Sequence, residues 1–474
     1  MIKKGGKRVK LVLKIWNEEE MPDEWRTALI CPIHKKGSKL ECNNFRGISL
    51  LGVVYKIFTN IVSSYLKVYT DELLGEYQCG FRQGRSTTDH IFTIKQCLEK
   101  TNEHNIPIHM LFIDFKQAFD GMKRTKILEA MRDFGIPSKL INLTKITLSK
   151  TYNKVKVQTK LSDRFLTVNG VRQGDSLSTI LFNIGLEKVM RNVDINYKGT
   201  IFNRTRQCMA YADDIVIMSR SLEVLNEVVS QIQREAEHMG LVINNRKTKY
   251  MRNARSSGIN KNGVNINGCN YEEVDTFKYL GVLITQGNTA DMDMRHKIAA
   301  GNRCLRALNK TMSSRYISKK AKLTLYKTVV RPIVLYGSET WTLSKNMEQH
   351  LMTWERKILR KIYGPKFENG CWRIRYNTEL KIQYNSPDIV AEIKARRLEW
   401  LGHIIRMDDS RIPKKILNSK PEGKRNVGRQ KLRWLDGVEE DLRTLGVRRW
   451  RQKAQLRQEW TKILREAKAR LQGP

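Results

Sequence analysis

The segment CMAYADDIVIMS, residues 208–219, decides the fold of this chain. Apolar residues that favour β-strands stand on both sides of the pair Asp213-Asp214, and this pattern predicts a β-hairpin with the two acids at its turn. Asp pairs are common in hairpin turns because aspartate tolerates turn geometry, so the pair alone does not establish a catalytic site.

A second carboxylate follows another predicted strand. The segment IHMLFIDFKQAF, residues 108–119, predicts a buried strand that ends at Asp114 and leads into a helix. Asp114 also suits the N-cap of that helix. If the two segments are neighbours in one sheet, Asp114 lies beside Asp213 and Asp214, and three adjacent carboxylates need cations between them. Two divalent ions would provide these cations and would support phosphoryl transfer.

The helices around these strands complete the fold prediction. One helix begins near Leu177, and another follows the hairpin with Ser221 as its N-cap and Gly240 as its C′ residue. Strands and helices in this order predict an α+β fold in which an antiparallel sheet carries its helices on one face, as in the palm of a polymerase.

The composition points to a nucleic-acid partner. The 474 residues include 87 Lys and Arg against 48 Asp and Glu, a net charge of +39, which suits a polyanion or an anionic membrane. Hydrophobic residues make up 40% of the chain, which excludes wholesale disorder. Eight scattered cysteines and the lack of a signal peptide or a long apolar run predict a protein of the nucleus or cytoplasm that is not secreted and has no membrane partner.

Beyond about residue 290 the pattern becomes helical and basic. Residues 391–474 contain 23 Lys and Arg against 11 Asp and Glu. Residues 451–471 predict one amphipathic helix whose apolar stripe includes Leu456 and Trp460, while the tryptophans of this region are expected mainly in the core. The loop PEGKRNVGRQK, residues 421–431, suits RNA binding or a plain linker equally well.

The motifs resemble those of reverse transcriptases of non-LTR (LINE-type) retrotransposons, in the family's order. The resemblance extends from about Trp16 over nearly all of the chain. The matching strings are HKKGS at 34–38, NFRGISLL at 44–51, EYQCGFRQGRSTTDHIF at 76–92, LFIDFKQAFD at 111–120, VRQGDSLS at 171–178, AYADDIVI at 210–217, INNRKTKYM at 243–251 and FKYLGVLI at 277–284.

This resemblance implies a set of catalytic residues and a cofactor. Asp114, Asp213 and Asp214 are expected to hold two Mg²⁺ ions, with Mn²⁺ as a substitute, and Lys247 is expected to donate a proton to pyrophosphate. Each of these residues also has an ordinary structural explanation, Lys247 above all, since surface lysines are common.

The resemblance also implies residues that bind the substrates. Nucleotide binding falls to Lys36, with Lys35 as its competitor, and to Arg46, Gln173 and Phe119, whose ring would exclude a 2′-hydroxyl. The implied template and primer contacts are Arg172, Gly174, Tyr279 and Gly281. From sequence alone, Phe119 is equally suited to a place in the core.

The implied architecture is a right-hand polymerase fold of fingers, palm and thumb, followed by a mostly α-helical basic C-terminal region. The expected boundaries are residues 1–107 for the N-terminal segment and fingers, 108–290 for the palm, 291–370 for a thumb-like region and 371–474 for the basic region. RNA template, DNA primer and deoxynucleotides are the expected partners, and the sequence indicates no stable protein partner.

Some features depart from the family's pattern. Gly121 replaces a small polar residue after the FD pair, and Thr179 replaces a common proline. The endonuclease that precedes the polymerase in full-length relatives is expected to be absent, as in a truncated copy or a frame read from an internal methionine. The alternatives to an RNA-directed DNA polymerase are a catalytically inactive product that only binds RNA or DNA and, less well supported, a two-metal nuclease.

Overall fold

A computed structural model describes residues 2–35, 37–193, 201–202, 206–253, 263–421, 433–471 and 473. The chain divides into two compact units, which we describe separately. The first unit comprises residues 1–86, 109–250 and 260–273, and the second comprises residues 87–108, 251–259 and 274–474. The four sequence-based boundaries stay a prediction, although residues 87–107, which they assign to the fingers, fall in the second unit.

The helices and strands of the described residues are numbered in chain order. The helices are α1 (Ile2–Glu18), α2 (Val53–Leu73), α3 (Thr87–His104), α4 (Ala118–Gly121), α5 (Arg124–Asp133), α6 (Ser138–Leu148), α7 (Ser176–Arg191), α8 (Leu222–Met239), α9 (Ala290–Ala307), α10 (Asn309–Ser313), α11 (Lys319–Leu325), α12 (Arg331–Leu335), α13 (Lys345–Tyr363), α14 (Asn377–Tyr384), α15 (Ile389–Arg406), α16 (Ile412–Asn418), α17 (Trp434–Thr444), α18 (Trp450–Gln455) and α19 (Arg457–Arg470). The strands are β1 (Thr27–His34), β2 (Phe45–Leu50), β3 (His109–Ile113), β4 (Thr151–Val157), β5 (Lys160–Leu161), β6 (Phe165–Thr167), β7 (Arg206–Tyr211), β8 (Asp214–Ser219), β9 (Lys249–Arg252), β10 (Val264–Ile266), β11 (Cys269–Glu273), β12 (Thr276–Tyr279), β13 (Val282–Thr285), β14 (Lys366–Glu368) and β15 (Cys371–Arg373).

A six-stranded sheet with the order β10-β11-β9-β3-β8-β7 forms the centre of the first unit. β3 and β8 are antiparallel neighbours, and β7 and β8 form the hairpin that the sequence predicts. Nearly every residue of β3 and β8 is buried, because both strands are apolar along almost their whole length. This sheet therefore provides the rigid support for the carboxylates at its strand ends.

The helix α8 packs on this sheet and confirms its predicted boundaries. The Ser221 side chain accepts a hydrogen bond from the backbone N–H of Val224, and Gly240 adopts φ +89° directly after the last turn. The apolar residues at helical spacing, from Leu225 to Met239, are buried against β3 and β8.

A smaller sheet in the first unit carries Arg46, one of the predicted nucleotide-binding residues. Its order is β2-β1-β4-β5, with β6 paired to β4. β1 and β2 form an antiparallel pair in which Ile33 lies opposite Arg46.

The second unit is mainly helical, as the sequence predicts. Its apolar core holds Trp341 and Trp354, and two further tryptophans, Trp434 and Trp460, are fully buried elsewhere in the unit. These positions confirm that most tryptophans of this region serve packing. Trp372 is the clear exception, since 69% of its surface is exposed.

The prediction of one helix over residues 451–471 is wrong. The helix is interrupted at Leu456, which has an extended backbone with ψ 101° and separates α18 from α19. Leu456 is exposed, whereas Trp460 is buried on α19. The helical spacing of apolar residues continues across the break, because each of the two short helices buries its own apolar side. The sequence pattern alone therefore did not show the interruption.

The predicted α+β class is confirmed.

None of the helices in the described part of the chain is both long and apolar enough to cross a membrane. The eight cysteines all lie in the described part of the chain, and none of them forms a disulfide bond there.

Candidate active site

The backbone brings the three predicted carboxylates to one edge of the six-stranded sheet. Asp114 follows the last residue of β3, and Ile113 lies opposite Ile215 in the neighbouring strand. Asp213 lies in the two-residue turn between β7 and β8, and Asp214 is the first residue of β8. The strand pairing that the sequence analysis assumed is therefore present, and it places both acidic segments together.

The charges of these carboxylates act on one another. Burial raises the pKa of Asp213, and the charge of Asp114 adds to this effect, while Arg46 and Lys35 oppose it. Partial removal from water, together with the charges of Asp213 and Asp114, raises the pKa of Asp214 to about 6. The negative charges of the site therefore repel one another and are partly removed from water, and a bound cation would offset both effects.

Asp114 is fixed by the segment that contains the predicted proton donor. Its backbone N–H donates to Thr248 Oγ1 at 3.2 Å, and its carbonyl oxygen accepts from the N–H of Asn244 at 2.7 Å. Between these two contacts lies Lys247, whose Nζ is 3.5 Å from Asp114 Oδ2. The structure thus places Lys247 beside a carboxylate of the site, which its sequence context alone did not establish.

The carboxylates of the site suit Mg²⁺ in charge and in ligand type. Asp114 Oδ2 is buried and accepts no hydrogen bond from the described residues, and the Lys247 ammonium lies 3.5 Å from it. Carboxylate oxygens are also the ligands that Mg²⁺ prefers. Among the described residues, however, no three Asp, Glu, His or Cys side chains converge closely enough to form a complete metal site. The carboxylates fit the ion in charge and chemistry, and side-chain rotation would have to complete the coordination.

Two cations of the β1–β2 pair influence the site. Arg46 on β2 is exposed, and both Arg46 and Lys35 lower the pKa of Asp213. The backbone N–H of Lys35 donates to the carbonyl of Asn44 at 2.8 Å and closes the loop between β1 and β2. Lys36 lies outside the described residues, so of these two competing lysines the structure describes only Lys35, whose charge acts on Asp213.

Phe119 and Gln173 lie on neighbouring backbone segments. The Phe119 ring stacks on Phe182 of α7, with ring centroids 4.6 Å apart, and its carbonyl accepts from the N–H of Val171 at 2.8 Å. Gln173 Nε2 donates to both carboxylate oxygens of Asp120 at 3.3 Å. These contacts hold both side chains without showing what they bind.

Gly174 permits a close backbone approach. It adopts φ +111°, and a Cβ placed there would lie 3.0 Å from the carbonyl oxygen of Ser49. The Ser49 N–H also donates to the carbonyl of Gln173 at 2.8 Å. The loop that contains Gln173 and Gly174 is thereby joined to β2.

The Arg172 side chain points into the protein. Its guanidinium donates to the carbonyls of Trp25 at 3.3 Å and Arg26 at 2.6 Å, and it lies over the ring of Tyr55. Only 7% of the residue is exposed. These contacts give the side chain a structural role, while the predicted template contact of Arg172 stays untested.

Tyr279 and Gly281 belong to the β12–β13 hairpin of the second unit. Tyr279 is buried, and its hydroxyl lies 3.2 Å from His90 Nδ1. Gly281 adopts φ +80°, and a Cβ there would lie 3.2 Å from the ring of Tyr336. The predicted primer contact of this hairpin is likewise untested.

Sequence reasoning missed the residues that support the carboxylate turn from behind. The segment EYQCGF, residues 76–81, served only as a family signature, yet Gln78 accepts a hydrogen bond from the N–H of Ala212 in the turn. Gly80 was the available signal, because glycine allows two backbone segments to approach closely. The partner of Gln78 in the turn, Ala212, lies 134 positions away in the sequence and could not be inferred from the pattern.

Comparisons with known proteins show what the chain is similar to. Residues 33–284 match the model of the reverse transcriptase (RNA-dependent DNA polymerase) family. A transposon-derived protein of Caenorhabditis elegans is 25% identical over 264 residues, which cover 54% of this chain and 94% of that protein. The retrovirus-related Pol polyprotein from the type-1 retrotransposable element R2 of Popillia japonica is 26% identical over 274 residues, which cover 55% of this chain and 43% of the polyprotein. The chain thus matches less than half the length of that polyprotein.

A comparison with solved structures finds telomerase. The apo telomerase of Candida tropicalis aligns with a TM-score of 0.47 and 12% identity, over 98% of this chain and 74% of that chain.

Proposed function

The chain belongs to the reverse transcriptase family, the RNA-dependent DNA polymerases, and from this premise we propose that it extends a 3′-hydroxyl primer along an RNA template. The observation that carries the proposal is the meeting of Asp114, Asp213 and Asp214 at adjoining strand ends, with the pKa of Asp213 and Asp214 raised by burial and mutual repulsion. An arrangement that gathers like charges at such a cost suits cation-dependent catalysis.

The three carboxylates would hold the cofactor. Asp114, Asp213 and Asp214 would bind two Mg²⁺ ions, with Mn²⁺ as a substitute, and these ions supply the Lewis acidity that in-line phosphoryl transfer requires. Lys247 lies 3.5 Å from Asp114 Oδ2 and would give its proton to the departing pyrophosphate.

Other residues of the first unit would position the nucleotide. Arg46, with Lys35 or Lys36, would bind the triphosphate, because both described cations act on Asp213. Phe119, held by Phe182, would exclude the 2′-hydroxyl of a ribonucleotide. Gln173, joined to Asp120, would lie against the nascent base pair.

The remaining parts of the proposal concern partners and setting. RNA template, DNA primer and deoxynucleotides are the proposed substrates, with Arg172, Gly174, Tyr279 and Gly281 as contacts to the template and primer. The net charge of +39 supports binding to such polyanions. We propose that the activity serves retrotransposition in the nucleus or cytoplasm.

Primer extension tests this function. The wild type is expected to extend a DNA primer on an RNA template with Mg²⁺ and deoxynucleotides, whereas Asp213→Asn is expected to bind the same primer-template and extend nothing measurable. Asp163→Asn, which changes an exposed aspartate of the same unit, is the matched control and should extend like the wild type. Salt-dependent binding without extension by the wild type would contradict the proposal and favour the inactive binder.

A further inference from the structure

The carboxylate turn is supported by a backbone segment that lies behind it. The N–H of Cys79 donates to the carbonyl of Ala210 at 3.0 Å, and the N–H of Ala210 donates to the carbonyl of Tyr77 at 2.9 Å. Gln78 and Ala210 thereby form a parallel bridge. β7 ends the strand order of the six-stranded sheet, so this segment pairs with its outer side next to the turn.

The Gln78 side chain extends this contact into the turn itself. Its Oε1 accepts from the N–H of Ala212 at 3.0 Å and from the N–H of Gly80 at 2.8 Å. Only 1% of Gln78 is exposed, and its Nε2 has no hydrogen-bond partner among the described residues. Because both partners are donors, the amide oxygen is the end of the side chain that acts.

The turn needs such support because its backbone is unfavourable. Ala212 adopts φ +55°, a left-handed conformation that residues with a Cβ rarely occupy. Conformations of this kind persist where surrounding contacts enforce them. The hydrogen bond to Gln78 fixes the peptide group that enters Ala212, and Asp213 and Asp214 follow directly along the chain.

The support is itself anchored to a helix. The carbonyl of Gly80 accepts from Asn183 Nδ2 of α7 at 2.9 Å, and the hydroxyl of Tyr77 donates to Glu187 of the same helix at 2.7 Å. No side chain fits at Gly80, since a Cβ there would lie 2.4 Å from the nitrogen of Ala212. An uninterrupted series of contacts therefore connects α7, through Gly80 and Gln78, to the turn.

We propose that Gln78 is a positioning residue for the catalytic turn. Its amide oxygen holds Ala212 in the left-handed conformation and so determines where the carboxylates of Asp213 and Asp214 stand. Gln78 touches neither substrate nor cofactor in this assignment. The catalytic consequence rests on the proposed polymerase function, whereas the structural consequence can be measured without it.

The structural consequence is tested by amide hydrogen exchange on the metal-free protein. Gln78→Met keeps the length of the side chain but removes the acceptor, and it is expected to speed exchange at Ala212 by about tenfold or more, because a local hydrogen bond is lost. Gln78→Glu keeps an acceptor oxygen and should retain most of the protection. If Gln78→Met does not fold, Gln78→Asn serves instead, since it withdraws the oxygen by one methylene group.

A buried glutamine on β7, the strand with which the Gln78 segment pairs, provides the matched control. Gln207 on β7 is 2% exposed, and its Oε1 accepts from the N–H of Ile201 at 3.1 Å, away from the turn. Gln207→Met should leave exchange at Ala212 unchanged. Equal protection of Ala212 in Gln78→Met and the wild type, or equal loss of it in Gln207→Met, would overturn the proposal.

Primer extension tests the catalytic consequence. Gln78→Met is expected to lower kcat by about 10²-fold, the scale of a small displacement of reacting groups, with the KM for deoxynucleotide and the binding of primer-template nearly unchanged. Gln78→Glu should recover most of the rate, and Gln207→Met should match the wild type. A wild-type rate in Gln78→Met would overturn the role of Gln78. A wild type that extends nothing would contradict the polymerase function instead, and hydrogen exchange would then decide the role of Gln78.

Discussion

At the scale of single residues, the centre of the first unit is a group of carboxylates held together against their own repulsion. Charge patterning in the sequence located all three, because hairpins and strand ends leave a clear signal. The burial of a charged group leaves no such signal, so the sequence did not show that the Arg172 guanidinium bonds to backbone carbonyls. Gln78 was missed because it acts through a hydrogen bond to a residue far away in sequence.

The raised pKa of Asp214 predicts a pH-dependent stability in the absence of metal. The folded state holds this proton up to about pH 6, whereas the ordinary value is 3.8. The contribution of Asp214 to stability is therefore complete below about pH 4 and is lost as the pH rises through about 6. Because the Asp214 side chain is exposed, solvent screening should reduce its effect on the free energy of unfolding to under about 1 kcal/mol, so in EDTA at pH 7.5 Asp214→Asn should raise the unfolding midpoint by about 2 °C.

The control for this prediction is the same comparison at low pH. At about pH 3 the midpoints of Asp214→Asn and the wild type should nearly coincide, because the carboxyl is then largely protonated in both the folded and the unfolded state of the wild type. A difference between the two midpoints that stays constant from pH 3 to 7.5 would show that the effect does not come from titration of Asp214.

The stacked ring of Phe119 predicts a change in sugar selectivity. Phe119→Val removes ring volume while Phe182 keeps its place on α7, so ribonucleotide incorporation relative to deoxynucleotide should rise by about tenfold or more, as for other pocket contacts. Single-nucleotide extension with each substrate measures the ratio. Phe115→Leu, a change to a buried ring of the same segment, should leave the ratio unchanged, and an unchanged ratio in Phe119→Val would remove Phe119 from the nucleotide site.

At the scale of elements, the sequence predicted those with local signals and missed those set by contacts between segments. The caps of α8 were clear, because serine and glycine act within one turn of the helix. The break at Leu456 was not, since both short helices continue the same apolar spacing. A contact between elements also explains why Gly121 replaces the small polar residue of the family's pattern, since Gly121 of α4 lies against the end of α8.

Gly121 leaves room for the backbone of Gly240. A Cβ at Gly121 would lie 2.8 Å from the carbonyl oxygen of Gly240, and a Cβ at Gly240 would lie 2.5 Å from that of Gly121. Gly121→Ser, which introduces a small polar residue, should therefore destabilise the chain by about 1–3 kcal/mol, the usual cost of overpacking. Denaturant unfolding measures this loss.

Gly52→Ser is the matched control for Gly121→Ser. Gly52 precedes α2, has a negative φ and has no atom within 4 Å of a Cβ placed there. Its substitution should change stability by no more than a few tenths of a kcal/mol, or slightly improve the helix N-cap. Equal effects of the two substitutions would show that the close approach at Gly121 is relaxed at no cost.

At the scale of the whole molecule, the basic C-terminal region has a structural role that its charge did not reveal. Within the second unit, Arg411 pairs with buried Asp89 of α3 at 2.6 Å, and Lys100 of α3 donates to three carbonyls at the end of α16. Phe92 of α3 packs edge to face against Trp400 and Trp434. More than 300 residues separate these partners in the sequence, so the pattern could not show that they pack together. The basic composition of the region predicted only that it binds nucleic acid.

Removal of one ion-pair partner should therefore destabilise the second unit. Arg411→Met takes the cation away from a carboxylate that is 1% exposed, and the expected loss is about 3–5 kcal/mol. Adding Asp89→Asn to Arg411→Met should restore a large part of the stability, because the buried charge is then gone. Denaturant unfolding of the single and double variants checks both outcomes, and additive losses would contradict the pairing.

The most direct test of the account is localised cleavage by Fe²⁺ bound in place of Mg²⁺. With ascorbate and peroxide, radicals formed at the ion cut the nearby backbone, and fragments identify the cut positions. We predict cuts close to Asp114 and to the Asp213-Asp214 turn, suppressed by excess Mg²⁺ and lost in Asp213→Asn. Cuts elsewhere, or the same cuts in Asp213→Asn, would contradict the claim that these three carboxylates form the metal-binding centre of the polymerase.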